Sequence, residues 1–383
     1  MTVIGVSMMK IKVITILSLI IFLFHNYALA SINNHKDKIQ EISNVIKTAK
    51  LNNENVDYPR LYIERGKYYS QIDEYDNAMM DFNRVIQMNN VPGYWIGMAY
   101  YGRAYIYDKF LEYDKVISNL NEAIKVNPKF YDAYAQRAIA YKNKKDYKRA
   151  LSDISIAINE SKSKTVETAR YYAVRAGIYE KIKEYDKEIA DYTVAIKLDP
   201  ENDAYYLLRG SAYYWHKKDY ISDIEDTTKR IELLKKNNST RYNIEQAYSW
   251  RASLYTKLKR YDMAVSDYSQ AIQYADKTPN NNIFLILHLL HRGCLYAILN
   301  ENKKAIEDFD EAEKHSDKIT LGRVYFAKAL YFYNLGENEI TINYLRKSMM
   351  TDKSFDKAKD MYNNIMENNP SGIITFENFL SEF

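Results

Sequence analysis

His288, His291 and Cys294 stand three residues apart on what the pattern reads as one helix face, a spacing that can hold a metal ion. The stretch before them, Phe284-Leu285-Ile286-Leu287, is apolar, and no carboxylate or second thiol sits at a matching offset. Packing in a core or groove is therefore the favoured reading, and no metal or other cofactor is expected. A single cysteine excludes a disulfide framework and a Cys-based zinc site. No G-x-S-x-G turn, phosphate-cradling Gly-rich loop, dinucleotide fingerprint or H-E-x-x-H pair occurs, so an enzyme is not expected.

The second set of reactive side chains is charged and periodic. Arg65, Arg137, Arg175, Arg251 and Arg292 are each followed sixteen residues later by an acid, namely Asp81, Asp153, Asp191, Asp267 and Asp308, and Arg209 is followed after seventeen by Asp226. A row of arginines alone would suit phosphate or nucleic acid. An acid at fixed offset neutralises each one, and a net charge of +4 on 383 residues adds no bulk attraction, so nucleic acid is not an expected partner. The expected role is structural: a planar guanidinium holds a carboxylate with two hydrogen bonds, and a partly buried pair fixes register more than it adds stability. Asn119 stands where Arg103 would find its acid, and Tyr344 where Lys328 would, so those two positions depart from the pattern.

Elements that repeat are needed to position such pairs. One small residue follows each basic one, at Gly66, Ala104, Ala138, Ala176, Gly210, Ala252, Gly293 and Ala329, with a base period of 34. An aromatic stands three residues beyond every one, from Tyr69 and Tyr107 to Tyr296 and Phe332. Large residues at Tyr134, Tyr172, Tyr206 and Tyr248 precede the small ones by four, which places large, small and large on one helical face. A second periodic segment follows each time, as in Tyr185, Ile189, Tyr192, Ala195, so each unit reads as two amphipathic helices joined by a short polar turn. Only 11 Gly and 6 Pro argue against a large all-β fold.

The unit Tyr172, Ala176, Tyr179, Tyr185, Tyr192, Ala195, Pro200 resembles the tetratricopeptide repeat, and the resemblance spans residues 58–350 as about eight units. It implies an all-α fold, a right-handed superhelical α-solenoid of helix-turn-helix repeats with a C-terminal capping helix at 355–366, inside a closing segment 351–383, and an opening helix within 31–57. The first helix of each unit would line a concave groove that takes a protein or peptide, which puts Lys67, Tyr101, Tyr105, Leu207, Tyr214, Leu290, Phe326 and Tyr333 on or near it. Family members that clamp a chaperone's terminal carboxylate use Lys, Asn and Arg, whereas Ile63, Lys67, Gly102, Asp132 and Gln136 stand at those places, so that clamp is absent. The fifth unit carries an extra residue near Trp215-His216-Lys217-Lys218, with Thr227 and Arg230 where an aromatic and Ala belong, so its second helix is expected to pack less well. The apolar tail, Phe376, Phe379, Leu380 and Phe383, is expected to dock on its own array in preference to a partner.

Lys10 and Lys12 precede an apolar run from Val13 to Phe24 that ends in Ala28-Leu29-Ala30, the pattern of an export signal cleaved after Ala30. The run is too short for a stable membrane span. The expected protein is exported, periplasmic or secreted, and acts as a non-enzymatic scaffold or adaptor. The alternatives are a glycan- or cell-wall-binding envelope protein, since Tyr- and Trp-lined grooves also stack sugars, and a secreted effector acting on host proteins.

Overall fold

A computed structural model describes residues 32–161, 165–275, 283–352, 355–367 and 374–380. Residues 1–30, read above as an export signal, and Phe383 of the tail lie outside them. The chain divides into two compact units, residues 1–183 and 184–383. Among the described residues every regular element is helical, and no helix is long and apolar enough to cross a membrane.

The first unit opens with α1 (residues 32–51), followed by α2 (Tyr58–Gln71) with α3 (Tyr75–Gln87), α4 (Gly93–Lys109) with α5 (Tyr113–Val126), α6 (Tyr131–Asn143) with α7 (Tyr147–Glu160), and α8 (Val166–Lys181). The second holds α9 (Tyr185–Leu198), α10 (Asp203–Ala212) with α11 (Tyr220–Lys236), α12 (Arg241–Lys257) with α13 (Tyr261–Tyr274), α14 (Ile283–Ile298) with α15 (Asn302–His315), and α16 (Lys318–Asn334) with α17 (Asn338–Thr351). Helix α18 (Asp356–Met366) packs on α17, and α19 (Phe376–Leu380) packs on α14. Within each unit, successive helices are neighbours in space, as short connections require.

The turns inside the hairpins repeat in atomic detail. The aromatic three residues after each small residue offers its carbonyl to an amide five residues on: Tyr69 to Glu74, Tyr107 to Glu112, Tyr141 to Asp146, Tyr255 to Arg260, Tyr296 to Glu301 and Phe332 to Glu337, at 2.8–3.0 Å. This closure requires a left-handed residue just past the helix end. Gly336 supplies it at φ +78°, but Asp73, Leu111, Lys145, Lys218, Lys259 and Asn300 adopt it with side chains attached. In the fifth hairpin the extra residue leaves α11 continuous. It is absorbed as a π-helical turn, Tyr213–Lys217, that lets the Asp219 amide reach back to the Tyr213 carbonyl. Helix α11 buries Ile224, Ile231, Leu233 and Leu234, while Thr227 bonds Asp223 and Arg230 pairs with Asp203.

Partner helices meet at the small residues. Ala104, Ala138, Ala252 and Ala329 are fully buried, and the position sixteen residues on fills the contact with Leu120, Ile154, Tyr268 or Leu345. Where that filler is Phe82 or Phe309, the small residue is Gly66 or Gly293, because a Cβ there would stand 2.7 Å from the ring.

Five of the guanidinium groups next to the small residues tie three helices. In Arg65–Asp81, Arg137–Asp153, Arg209–Asp226, Arg251–Asp267 and Arg292–Asp308, Nε and Nη2 donate to the two carboxylate oxygens at 2.6–2.9 Å. The remaining Nη1 reaches back to the second helix of the preceding hairpin, or to α1: Arg65 to Ser43, Arg137 to Asn121, Arg209 to Thr193, Arg251 to Thr228 and Arg292 to Ser269. From α5 onward these acceptors stand two residues after the acid position of their own hairpin. Arg175 lies over the rings of Tyr172 and Tyr179 on α8, and Asp191 is buried on α9. Burial holds Asp226 and Asp308 above the usual carboxylate range despite the attached guanidinium.

The two irregular positions behave differently. Lys328 is buried and donates to Asp310 and Glu313 on α15. Arg103 bonds Asn83, but its Nε and the Oδ1 of Asn119 are buried with no partner among the described residues. Asn119→Asp supplies the missing carboxylate. It is expected to raise stability by about 1–2 kcal/mol in chemical denaturation at neutral pH, a gain that Arg103→Met removes in a double-mutant cycle.

Candidate functional site

In the first unit the groove candidates sit on the first helices of two hairpins. Lys67 is exposed on α2. Tyr105 on α4 is 42% exposed, with the Lys109 Nζ 5.0 Å from its ring centre. Tyr101, one turn earlier, is half-buried with its ring 5.1 Å from that of Phe130, and burial pushes its hydroxyl pKa up. Beside it Asp132 accepts from Arg170 and from the Tyr171 hydroxyl, so this carboxylate is engaged within the protein.

In the second unit the first helices enclose a cavity of about 850 Å³. It is lined by Gln246, Ser249, Trp250 and Ser253 on α12, Tyr214 and Trp215 from the π turn, Phe284 and His288 on α14, and Asn378 and Leu380 on α19. Tyr214 is the centre of an aromatic cluster, with ring centres 4.6 Å from Trp215, 5.5 Å from Tyr220 and 4.8 Å from Trp250. Leu207, two turns before, is 42% exposed, and Trp215 is 60% exposed. Tyr333 on α16 is half-buried against the core.

Leu290 and Phe326 do not line an open groove. Both are buried, and the ring of Phe326 packs 5.1 Å from Phe355 and 5.3 Å from Phe379. Helical periodicity places them on the face of the first helices, but α19 lies across that face and its Phe376, Phe379 and Leu380 are themselves buried there. The described part of the tail thus docks within its own unit.

The histidine cluster makes structural contacts. His288 Nε2 is 2.9 Å from the Oε1 of Glu245, both groups being buried, and its Nδ1 is 3.4 Å from the Ser249 hydroxyl. His291 stacks on Tyr268 with ring centres 5.1 Å apart and donates from Nδ1 to the Leu287 carbonyl. Burial, with His288 adding to it, pulls its pKa down to about 4, so the ring is neutral at physiological pH. The Cys294 thiol is fully buried and its pKa is pushed up, which keeps it protonated and unreactive. Among the described residues no three potential ligands converge on a metal position.

Two features were not recognised in the sequence. One is the Nη1 acceptor, whose signal is the Asn, Ser or Thr two places after the acid position. The other is Asp223, which accepts from the indole of the cavity-lining Trp250 at 2.9 Å and from Thr227. Gly210 leaves space for it, since a Cβ there would stand 2.5 Å from its Oδ1. Burial raises the Asp223 pKa to about 6.

Residues 59–91, 169–202 and 245–278 match a family model described as tetratricopeptide repeat. Among solved structures, the apo form of RapI superposes with a TM-score of 0.55 at 14% identity, covering 85% of this chain and 98% of its own. The C-terminal part of a TPR repeat-containing protein from Cytophaga hutchinsonii superposes with a TM-score of 0.53 at 18% identity, covering 67% and 97%. At these identities the likeness is one of fold. No curated protein sequence matches the chain. The chain thus carries tetratricopeptide repeats at these three places, on α2 and α3, α8 and α9, and α12 and α13, within an array of helical hairpins.

Because the Asp223 carboxyl binds its proton more tightly folded than unfolded, the charged form opposes folding above about pH 6, and the penalty fades as pH falls toward the unfolded value near 4. Asp223→Asn, which keeps an acceptor for Trp250, is expected to raise the melting temperature at pH 7.5 and to lose that advantage by pH 4.5 in a calorimetric pH series.

Proposed function

We propose that this protein is a non-enzymatic scaffold that binds a partner protein or peptide on the faces formed by the first helices of its hairpins, and that it works outside the cytoplasm after loss of residues 1–30. Tetratricopeptide repeats are in general protein-interaction modules, which supports the first half. The observation that carries it is the aromatic-lined cavity of the second unit, to which α12, α14 and the π turn contribute most of the lining, with Leu207 and Trp215 exposed nearby. Aromatic side chains on a rigid frame give large contact area at small entropic cost. The basic residues, apolar run and Ala28-Leu29-Ala30 of the N-terminus support the second half.

Tyr105, Leu207 and Trp215 are exposed, so changing all three to Ala leaves the repeat interior intact. The expected outcome is a partner that co-purifies from envelope or culture-medium fractions with the native chain and is lost with the triple variant, at unchanged helical circular dichroism. Equal recovery by both overturns the site. N-terminal sequencing of the protein recovered from those fractions is expected to begin at Ser31, and an intact Met1 in the cytoplasm overturns the export reading.

A further inference from the structure

The chemistry of the cavity narrows the partner, an inference that rests on the binding role proposed above. Among the described residues none that lines the cavity is acidic, whereas Lys257 and Lys259 both are basic members of its wall. Lys257 and Lys218 each place Nζ 5.8 Å from the centre of the Tyr214 ring, and Lys218 stands equally far from Trp215. Both lysines are exposed, and among the described residues neither pairs with a carboxylate. Elsewhere in the second unit surface lysines such as Lys217, Lys229, Lys236 and Lys304 do have acidic partners. Two acids bonded to lining residues are engaged within the protein: Asp223 is held by Trp250 and Thr227, and Glu245 by His288.

The wall is thus a ring of aromatic faces with two cations at its rim. The same face already accepts one aromatic segment, since Phe379 of α19 packs on Phe326 and the neighbouring Asn378 and Leu380 border the cavity. A ring that enters beside them meets Tyr214 and Trp250. A carboxylate carried next to that ring meets Lys218 and Lys257, at the edge of a low-dielectric surface where its attraction exceeds that of a solvated pair.

We propose that this cavity binds an acidic peptide segment of a partner through one aromatic side chain flanked by Asp or Glu, the ring lodged among Tyr214, Trp215 and Trp250 and the carboxylate between Lys218 and Lys257. The helix face supplies shape and the lysines supply sign. Basic and purely aliphatic segments are rejected, the first by charge and the second by loss of stacking on the rings.

The test is selection of a random twelve-residue peptide display library on the chain from Ser31 onward. Enriched sequences are expected to carry Phe, Tyr or Trp next to Asp or Glu. A labelled peptide from the enriched set is expected to bind the double variant Lys218→Glu, Lys257→Glu at least tenfold more weakly, to bind Tyr214→Ala at least tenfold more weakly, and to lose affinity as salt rises. Since both lysines are exposed, the double variant keeps its helical circular dichroism. Enrichment of basic or aliphatic peptides, no enrichment, or undiminished binding to the double variant overturns this inference. So does quenching of tryptophan fluorescence by uronic acid oligosaccharides with no peptide selected. The broader reading fails separately, when the Tyr105, Leu207, Trp215 triple variant retains its natural partner.

Discussion

A guanidinium group with three directions of hydrogen bonding sets the geometry of five of the hairpins. Two of its nitrogens grip an aspartate on the second helix, and the third reaches a small polar side chain one hairpin earlier, or on α1. The rest of the repeat follows from making that reach possible. The residue next to the arginine is Gly or Ala so that the two helices come close, and where Phe82 or Phe309 stands sixteen positions on it is Gly, since a Cβ would meet the ring. Flanking tyrosine rings lie against the guanidinium plane, as with Arg137 on Tyr134 and Arg251 on Tyr248 and Tyr255. These contacts shield the ion pair from water, and the raised pKa values of Asp226 and Asp308 show that the shielding costs something. The pairs act chiefly as registration marks between helices.

Much of this was legible because it is periodic. The spacing of Arg65 and Asp81, repeated along the chain, contained the bidentate pair before any coordinate was known, and the small residue between large ones contained the helix contact. The third hydrogen bond was harder to see. Its acceptor changes between Ser, Asn and Thr, and its distance in sequence shifts between 16 and 23 positions as the loops between hairpins change length. Nor could periodicity anticipate α19. The pattern places Leu290 and Phe326 on a particular helix face, and it carries no information about a segment from farther along the chain that covers that face. The extra residue of the fifth unit was visible as an irregularity, but whether it would break α11 or be taken up in a π turn depended on the carbonyl of Tyr213 still finding its amide.

The second unit divides its inner face between two uses. Around α14 and α16 that face is filled by Phe376, Phe379 and Leu380, and it contributes to the core. Around α12 and the end of α10 it stays open as the cavity, with Tyr214 at the centre of its rings. The π turn shapes the open part. It carries the additional residue that brings both Tyr214 and Trp215 to the wall, and it ends on the left-handed Lys218 whose amine lies near both rings.

Nearly every contact described joins residues within one hairpin or between adjacent ones, and this has a bearing on how the chain folds. Local closures cost little loop entropy and form quickly, so each hairpin can assemble on its predecessor as soon as its arginine finds the waiting hydroxyl or amide. The contact of Phe379 with Phe326 is the exception, since it closes a much longer stretch of chain. On topological grounds it is the last contact to form, so that the cavity gains its α19 wall, Asn378 and Leu380, only after the helices it borders have assembled.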